Sequence, residues 1–373
     1  MAGVSTSVSP KRGEWVKGTL VGSGSFGTVH LAMSKSTGRL FVVKSTHTRA
    51  EFAALENEVE ILKNLEPSPY IVRYLGSERD ADDLKVLMEY MAGGSLADIT
   101  EKFGGSLQED VVRLYTQEIL KGLNFLHGNG IVHCDLKCKN VLLGSCGDIK
   151  LADFGCARKV EDLKNEGLMK KKKNNKSLEC VSGTPLWMAP EVLRNEKLDF
   201  AADIWSLGCT VIEMATGRPP WGVSEYDSNP MALLLKISFG DEIPKLPTQF
   251  SKEGLDFLRK CFERDSRKRW TCEELLRHPF VSRDYSSVVK TPPQPSSPVK
   301  ETTYSPVSVL EITGFEDACD EIMDEPESPE GNDFSVIKPF TCCKDGRKGE
   351  SAIPWHGDEC ATCSSQNWIN VRS

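Results

Sequence analysis

Hydrophobic spacing changes period several times along the chain, and the changes mark its elements. Thr28–Met33 and Leu40–Lys44 are short strand-like runs, joined by a turn at Ser36–Thr37–Gly38. Arg49–Leu65 shifts to helical spacing, with Phe52, Leu55, Val59 and Leu62 in its apolar positions. Val86–Leu96 runs from an apolar strand into a Gly-Gly hinge. Glu109–His127 carries apolar residues at 111, 112, 114, 115, 119, 120, 123 and 126, which predicts a long helix with a broad buried face. The stretch 270–280, WTCEELLRHPF, reads as a capped amphipathic helix. From about residue 284 the periodicity stops and proline and serine become frequent, and the acidic stretch 311–330 lacks core-forming density. The pattern predicts a flexible N-terminus (1–14), a β-rich lobe (about 15–91), a helical lobe (about 95–283) and a largely disordered tail (284–373).

Composition narrows this little, but charge does more. The chain has 373 residues and a net charge of −8. Residues 284–373 hold 16 acidic and 7 basic side chains, so the acidity belongs to the tail and the remainder is nearly neutral. Nothing in this distribution suggests a nucleic-acid-binding surface. No stretch reaches the length of apolar sequence that a membrane helix needs. The N-terminus lacks the apolar core of a signal peptide, so a cytosolic or nuclear location is expected, with the 13 cysteines mostly free thiols.

The chemistry concentrates in His133–Asn140, HCDLKCKN, between the apolar runs Ile131–Val132 and Val141–Leu143. A tight polar loop there holds Asp135, Lys137 and Asn140 close together. Asp135 suits a group that orients a hydroxyl and accepts its proton. Lys137 suits neutralisation of charge on a transferred phosphate, and Asn140 suits a metal ligand. Asp153–Phe154–Gly155 follows ten residues after Leu143. Upstream, Leu20–His30 reads LVGSGSFGTVH, with glycines at 22, 24 and 27. Such a pattern either covers phosphates or opens a dinucleotide-binding helix. The hairpin that follows favours the first. Lys44 closes the apolar strand after that hairpin, and Glu56, Glu58 and Glu60 are all available to pair with it.

These motifs, in this order, resemble the protein kinase catalytic domain over about residues 15–282. The resemblance implies an α+β, two-lobed protein kinase fold, with a small β-rich N-lobe and a large helical C-lobe. It implies binding of ATP by Val21, Gly22, Ser23, Gly24, Ser25, Phe26, Gly27 and Val29, by Lys44 held by Glu58, and by the hinge residues Glu89 and Met91, with Met88 at the back of the pocket. It implies Mg²⁺ held by Asn140 and Asp153, and catalysis by Asp135 and Lys137. GTPLWMAPEV at 183–192 resembles the substrate-binding segment of Ser/Thr kinases. Thr184 is then expected beside Asp135 and Lys137, Glu191 paired with Arg269, and Asp203 bracing the loop backbone. LVGSGSFGTV, ALENEVEILKNL, MEYMAGGSL and GTPLWMAPEV resemble MEKK-like MAP kinase kinase kinases, and HCDLK with the trailing tail resembles stress-responsive, abscisic-acid-linked plant members. The implied substrate is a MAP kinase kinase. A Ste20-like kinase one tier higher and a catalytically dead scaffold are the alternatives, and the presence of Lys44, Asp135 and Asp153 argues against the scaffold.

Several positions depart from the pattern. Cys134 stands where most kinases have arginine, Val42 where alanine is usual, and Cys180 where relatives often carry a phosphorylated hydroxyl. Weaker dependence on activation-segment phosphorylation is therefore expected, with Ser177 and Ser182 as the remaining acceptors. Lys170–Lys173 reads as a solvated insert, with a docking patch or import signal as the sharper alternative. In the tail, Thr291, Ser297, Ser305 and Ser328 each precede proline and suit a feedback MAP kinase, and Val307–Ile312 suits a short docking motif. Cys342–Cys343 and Cys360-x-x-Cys363 lack finger spacing and are expected to be free thiols.

Overall fold

The computed structural model describes residues 13–24, 27–46, 48–79, 83–162, 183–196, 198–222 and 229–282. The first lobe is a five-stranded antiparallel sheet in the order β1-β2-β3-β5-β4. Its strands are β1 (Trp15–Gly24), β2 (Gly27–Ser34), β3 (Leu40–Ser45), β4 (Tyr74–Arg79) and β5 (Leu84–Glu89). The apolar run in β3 does not alternate because both of its faces are covered. Phe41 and Val43 join Ala32 and Leu87 in a small outer cluster, closed by Trp15, which meets Phe41 edge-on at 6.1 Å. Val42 turns inward to the main core. Register places Lys44 opposite Val86 and Val29, so the lysine sits mid-sheet with its backbone fixed on both sides.

Helix α1 (Arg49–Asn64) packs on that inner face. Thr48 and Glu51 close a capping box at its start, which satisfies two otherwise orphaned backbone donors. Leu55, Glu58, Ile61 and Leu62 are its buried positions, the i, i+3, i+6, i+7 stripe of one helical face.

The second lobe is built around α3 (Glu109–Gly128) and α5 (Ala201–Thr216). Helix α3 is amphipathic as its spacing predicts, but Leu114 lies on the exposed side, so the buried face is narrower than the apolar count implies. Helix α5 is buried almost throughout, with Trp205 and Asp203 inaccessible to solvent. It ends at Gly217, whose φ of 64° and closeness to Gly105 require glycine. Around this pair lie α2 (Leu96–Lys102), α4 (Pro190–Leu193), α6 (Pro230–Phe239) and α7 (Lys252–Cys261). The stretch 270–280 is not one helix. It divides into α8 (Cys272–Leu276) and α9 (Pro279–Ser282), because Pro279 cannot donate the bond that would continue the first. The capping box at Thr271 and Glu274 is present. The remaining strands are short: β6 (Gly94–Ser95), β7 (Ile131–Val132), β8 (Val141–Leu143), β9 (Ile149–Leu151) and β10 (Arg158–Lys159). Strand β8 lies between β6 and β9, and β7 pairs with β10. Together these are the two lobes expected of the protein kinase fold. Among the described residues no helix is long and apolar enough to cross a membrane.

Candidate active site

The two β pairs bring the loop 133–140 and the segment 153–157 to one place. Asp203 in α5 anchors the loop from beneath. Its carboxylate accepts the backbone N–H of His133 at 2.8 Å and of Cys134 at 3.0 Å, and contacts the His127 ring at 2.9 Å. Burial alone would raise the Asp203 carboxyl, but the His127 bond, the nearby His133 and its N–H hold it below its ordinary value. The anchored Cys134 has φ 66° and Asp153 has φ 68°, both in the left-handed region that non-glycine residues avoid. Backbone strain of this kind, at two points, gathers where the chemically active side chains converge.

Asp135 is buried, and both of its carboxylate oxygens face one cluster. Oδ1 accepts both the Thr184 backbone N–H (2.9 Å) and its hydroxyl (2.7 Å). Oδ2 accepts Lys137 Nζ at 2.9 Å and Asn140 Nδ2 at 3.0 Å. Lys137 also donates to Thr184 Oγ1 at 2.6 Å, which closes a triangle between the loop and the segment after residue 182. Gly183 permits this approach: its φ is 129°, and a Cβ there would stand 2.8 Å from the Cys134 carbonyl oxygen. Asn140, with its amide nitrogen turned to Asp135, keeps its oxygen as the ligand atom.

A second cluster spans the lobes. Lys44 Nζ lies 2.7 Å from Glu58 Oε2 and 2.8 Å from Asp153 Oδ1. Burial opposes the lysine charge, but the two carboxylates outweigh it and raise the ammonium above its ordinary value. Burial lifts the Glu58 carboxyl against the pull of Lys44. Asp153 moves the other way: burial would raise it, and the Lys44 charge and hydrogen bond bring it below the ordinary carboxylate value. The other two candidate glutamates face elsewhere, Glu56 to Arg79 and Glu60 to Lys159, both at 2.6 Å on the surface.

The hinge follows β5. Met88 and Met91 are buried. The Glu89 N–H donates to the Arg73 carbonyl at 3.0 Å, so it is the carbonyl of Glu89 that can offer the expected backbone contact. Its side chain accepts from the Arg73 N–H and from Lys150 Nζ. Only its carbonyl and Met91 remain as candidate hinge contacts. In the glycine-rich turn, Gly24 faces Gly27 and Gly22 faces Val29. A Cβ on Gly27 would overlap the Ser45 carbonyl, so fold geometry alone demands that glycine. Gly22 is different: a Cβ there meets nothing within 4 Å, so packing does not explain it and open space lies above it. Val21 is half exposed beside Ser23. Ser25 and Phe26 lie outside the described residues, as do Ser177, Cys180, Ser182, Lys170–Lys173 and the whole tail from 283 with its Ser/Thr-Pro sites, Val307–Ile312 and cysteines.

A protein kinase domain model matches residues 15–281. The chain belongs to the protein kinase family. Its relatives include mitogen-activated protein kinase kinase kinase 20 of Arabidopsis thaliana, 43% identical over 281 residues that cover 73% of this chain and 79% of the relative. Kinase kinase kinase 17 of the same plant is 41% identical over 275 residues, 72% and 70% of the two chains. Kinase kinase kinase 3, also of Arabidopsis, is 44% identical over 278 residues, 72% of this chain but 41% of its own. The match thus spans less than half of that longer relative.

This kinase domain also has polar groups that its motifs did not announce. Glu213 in α5 accepts the Cys138 N–H and Trp187 Nε1, each at 3.0 Å, and so ties the loop to the turn after Thr184. Burial raises its carboxyl despite those donors. The expected Glu191–Arg269 pair is present as well, two-pronged and buried, at 2.6 and 3.1 Å. Asn57, next to Glu58, donates to the carbonyls of Phe154, Gly155 and Ala157 at 3.1, 3.2 and 2.9 Å. Its sequence signal is weak: a polar residue on a helix, one position from the paired glutamate. At Cys134, burial and then Asp203 push the thiol well above its ordinary value, so the site supplies neither a cation nor a thiolate.

Proposed function

We propose that the chain transfers the γ-phosphate of ATP to a serine or threonine of a MAP kinase kinase, as a MAP kinase kinase kinase of a stress cascade. Abscisic acid is the candidate signal and the cytosol and nucleus the candidate compartments. The observation that carries the reading is the closed contact of Asp135, Lys137 and Thr184. It places a carboxylate, a cation and the substrate-binding segment around one point, an arrangement suited to a hydroxyl acceptor.

The residues present fit ATP and a divalent cation. Asp153 offers a carboxylate held ionised beside Lys44, Asn140 an amide oxygen, and the glycine turn an open approach at Gly22. Bound Mg²⁺-ATP supplies the phosphoryl group and screens its charge. Lys44, pinned by Glu58, binds phosphate oxygens. Asp153 and Asn140 hold the metal. The Glu89 carbonyl and Met91 receive the adenine. Asp135 orients the acceptor hydroxyl and takes its proton on a carboxylate oxygen. Lys137 stays close enough to offset charge on the oxygens in transfer. The relatives' names support the cascade tier, and Lys137 with the GTPLWMAPEV segment supports serine/threonine specificity.

The tier is tested by offering the purified full chain two acceptor sets, inactivated MAP kinase kinases and inactivated MAP kinase kinase kinases, and mapping the phosphorylated residues. Phosphate on activation-segment Ser or Thr of a MAP kinase kinase is the expected result. Phosphate on the second set alone would move the chain up one tier. The same chain with Ser182→Ala should turn over at the wild-type rate, because Cys134 offers a segment phosphate no cation, and a hundredfold loss would contradict that.

A further inference from the structure

The kinase fold usually needs something to keep the metal-binding segment and helix α1 in register, and here the position that would answer a segment phosphate is an uncharged thiol. Of the charged groups acting on Cys134, Asp203 and Asp135 are negative and Arg158 positive. The registration is nonetheless present. Glu58 Oε1 accepts the Phe154 N–H at 3.2 Å while its other oxygen holds Lys44. One residue away, about 100° around the helix, Asn57 reaches the far side of the same stretch of backbone. Its two amide hydrogens serve three carbonyls, those of Phe154, Gly155 and Ala157, so at least one is shared. The segment is held from both polarities: its N–H by Glu58, its carbonyls by Asn57. The stretch begins at a strained residue, Asp153, and it ends in β10, which pairs with the strand leading into the 133–140 loop. A strained residue keeps its conformation only where its surroundings over-determine it. Helix α1 holds the backbone that follows it, and Lys44 of β3 holds its side chain.

We propose that Asn57 is a positioning residue, whose amide fixes the backbone after Asp153 to helix α1 so that the metal-binding carboxylate and the Lys44–Glu58 pair stay in register without a phosphate on the activation segment. The inference rests on the ATP-dependent reading above. The Asn57 amide is spent on main-chain carbonyls. It acts through the orientation of Asp153, so its loss should weaken metal-dependent steps and leave acceptor binding alone.

The test uses the full chain with Asn57→Leu and Asn57→Gln, the second keeping a primary amide. Two quantities are read without turnover: backbone hydrogen exchange over 153–159 in the nucleotide-free protein, and affinity for ADP as a function of Mg²⁺. In Asn57→Leu, exchange should speed up and Mg²⁺-dependent ADP affinity should fall, each about tenfold, the scale of one or two lost hydrogen bonds. Asn57→Gln should recover most of both. Turnover should drop in kcat with the KM for acceptor unchanged. If either exchange or affinity stays within twofold of wild type, or if glutamine fails like leucine, the proposal is overturned. Should the leucine variant not fold, Asn57→Ser carries the same two readings. A wild-type chain that transfers no phosphate overturns the proposed function instead, and exchange and affinity still decide Asn57.

Discussion

At the scale of single residues, the chemistry turns on a few side chains held in unfavourable places. Lys44 is a buried cation kept charged by two carboxylates. Lys44→Met leaves a buried Glu58 and a half-buried Asp153 without their cation, so unfolding free energy should fall by about 3 kcal/mol in denaturant titration, and phosphate transfer by about a hundredfold or more. Thr184→Val keeps the volume but removes the oxygen that joins Asp135 to Lys137. Transfer should drop roughly 10- to 100-fold in a steady-state assay, with melting temperature nearly unchanged. How legible these residues were differs by type. Glu58 could be read twice: it aligns with the family glutamate, and it falls in the Leu55–Ile61–Leu62 stripe, whereas Glu56 and Glu60 fall outside it. A charged residue inside an apolar stripe signals a buried partner. Asn57 gave no such signal, because its partners are backbone carbonyls 97 to 100 residues away, and any residue type supplies those. The same holds for the Glu89 N–H, whose acceptor is again a main-chain carbonyl.

At the scale of elements, what the sequence shows best is period, and what it shows least is how an element is terminated or shared. The β3 run FVVK looks like a buried strand, and it is one, because Trp15 and its neighbours cover the outer face as α1 covers the inner. Helix α3 follows its apolar spacing except at Leu114, which stays exposed. The stretch 270–280 shows a cap at Thr271 and a proline at 279, and the proline decides: two short helices replace one. Thr271→Ala should cost about 1 kcal/mol of stability, seen as a small loss in thermal midpoint. The Glu191–Arg269 pair is a larger matter, since it joins α4 to the stretch leading into α8 with neither partner exposed to water. Arg269 also donates to the carbonyls of Ala201 and Glu263. Arg269→Ala should therefore destabilise by about 3–5 kcal/mol, while Glu191→Gln, which can still accept one bond, should cost less.

For the whole molecule, the two lobes meet through ionised groups, so the fold should respond to acid. Asp203, at the hub of the second lobe, sits below its ordinary value of 3.8 in the folded chain. The folded state binds that proton less readily than the unfolded state. Its contribution to stability is then fully present above 3.8 and is lost as pH falls below it toward the folded value. Asp203→Asn should flatten this part of an acid-unfolding curve followed by tryptophan fluorescence, with Trp205 as the nearby reporter. An unchanged acid limb would contradict the assignment. The proposed function makes Asp135 the group through which this centre transfers phosphate. The most direct measurement is transfer of labelled phosphate from ATP to an inactive MAP kinase kinase by the full chain and by Asp135→Asn, with nucleotide affinity measured for both. Transfer by the wild type, lost at least a hundredfold in Asp135→Asn with nucleotide affinity preserved, is the predicted result. Equal transfer by the two proteins, or none by the wild type with nucleotide bound, would contradict it.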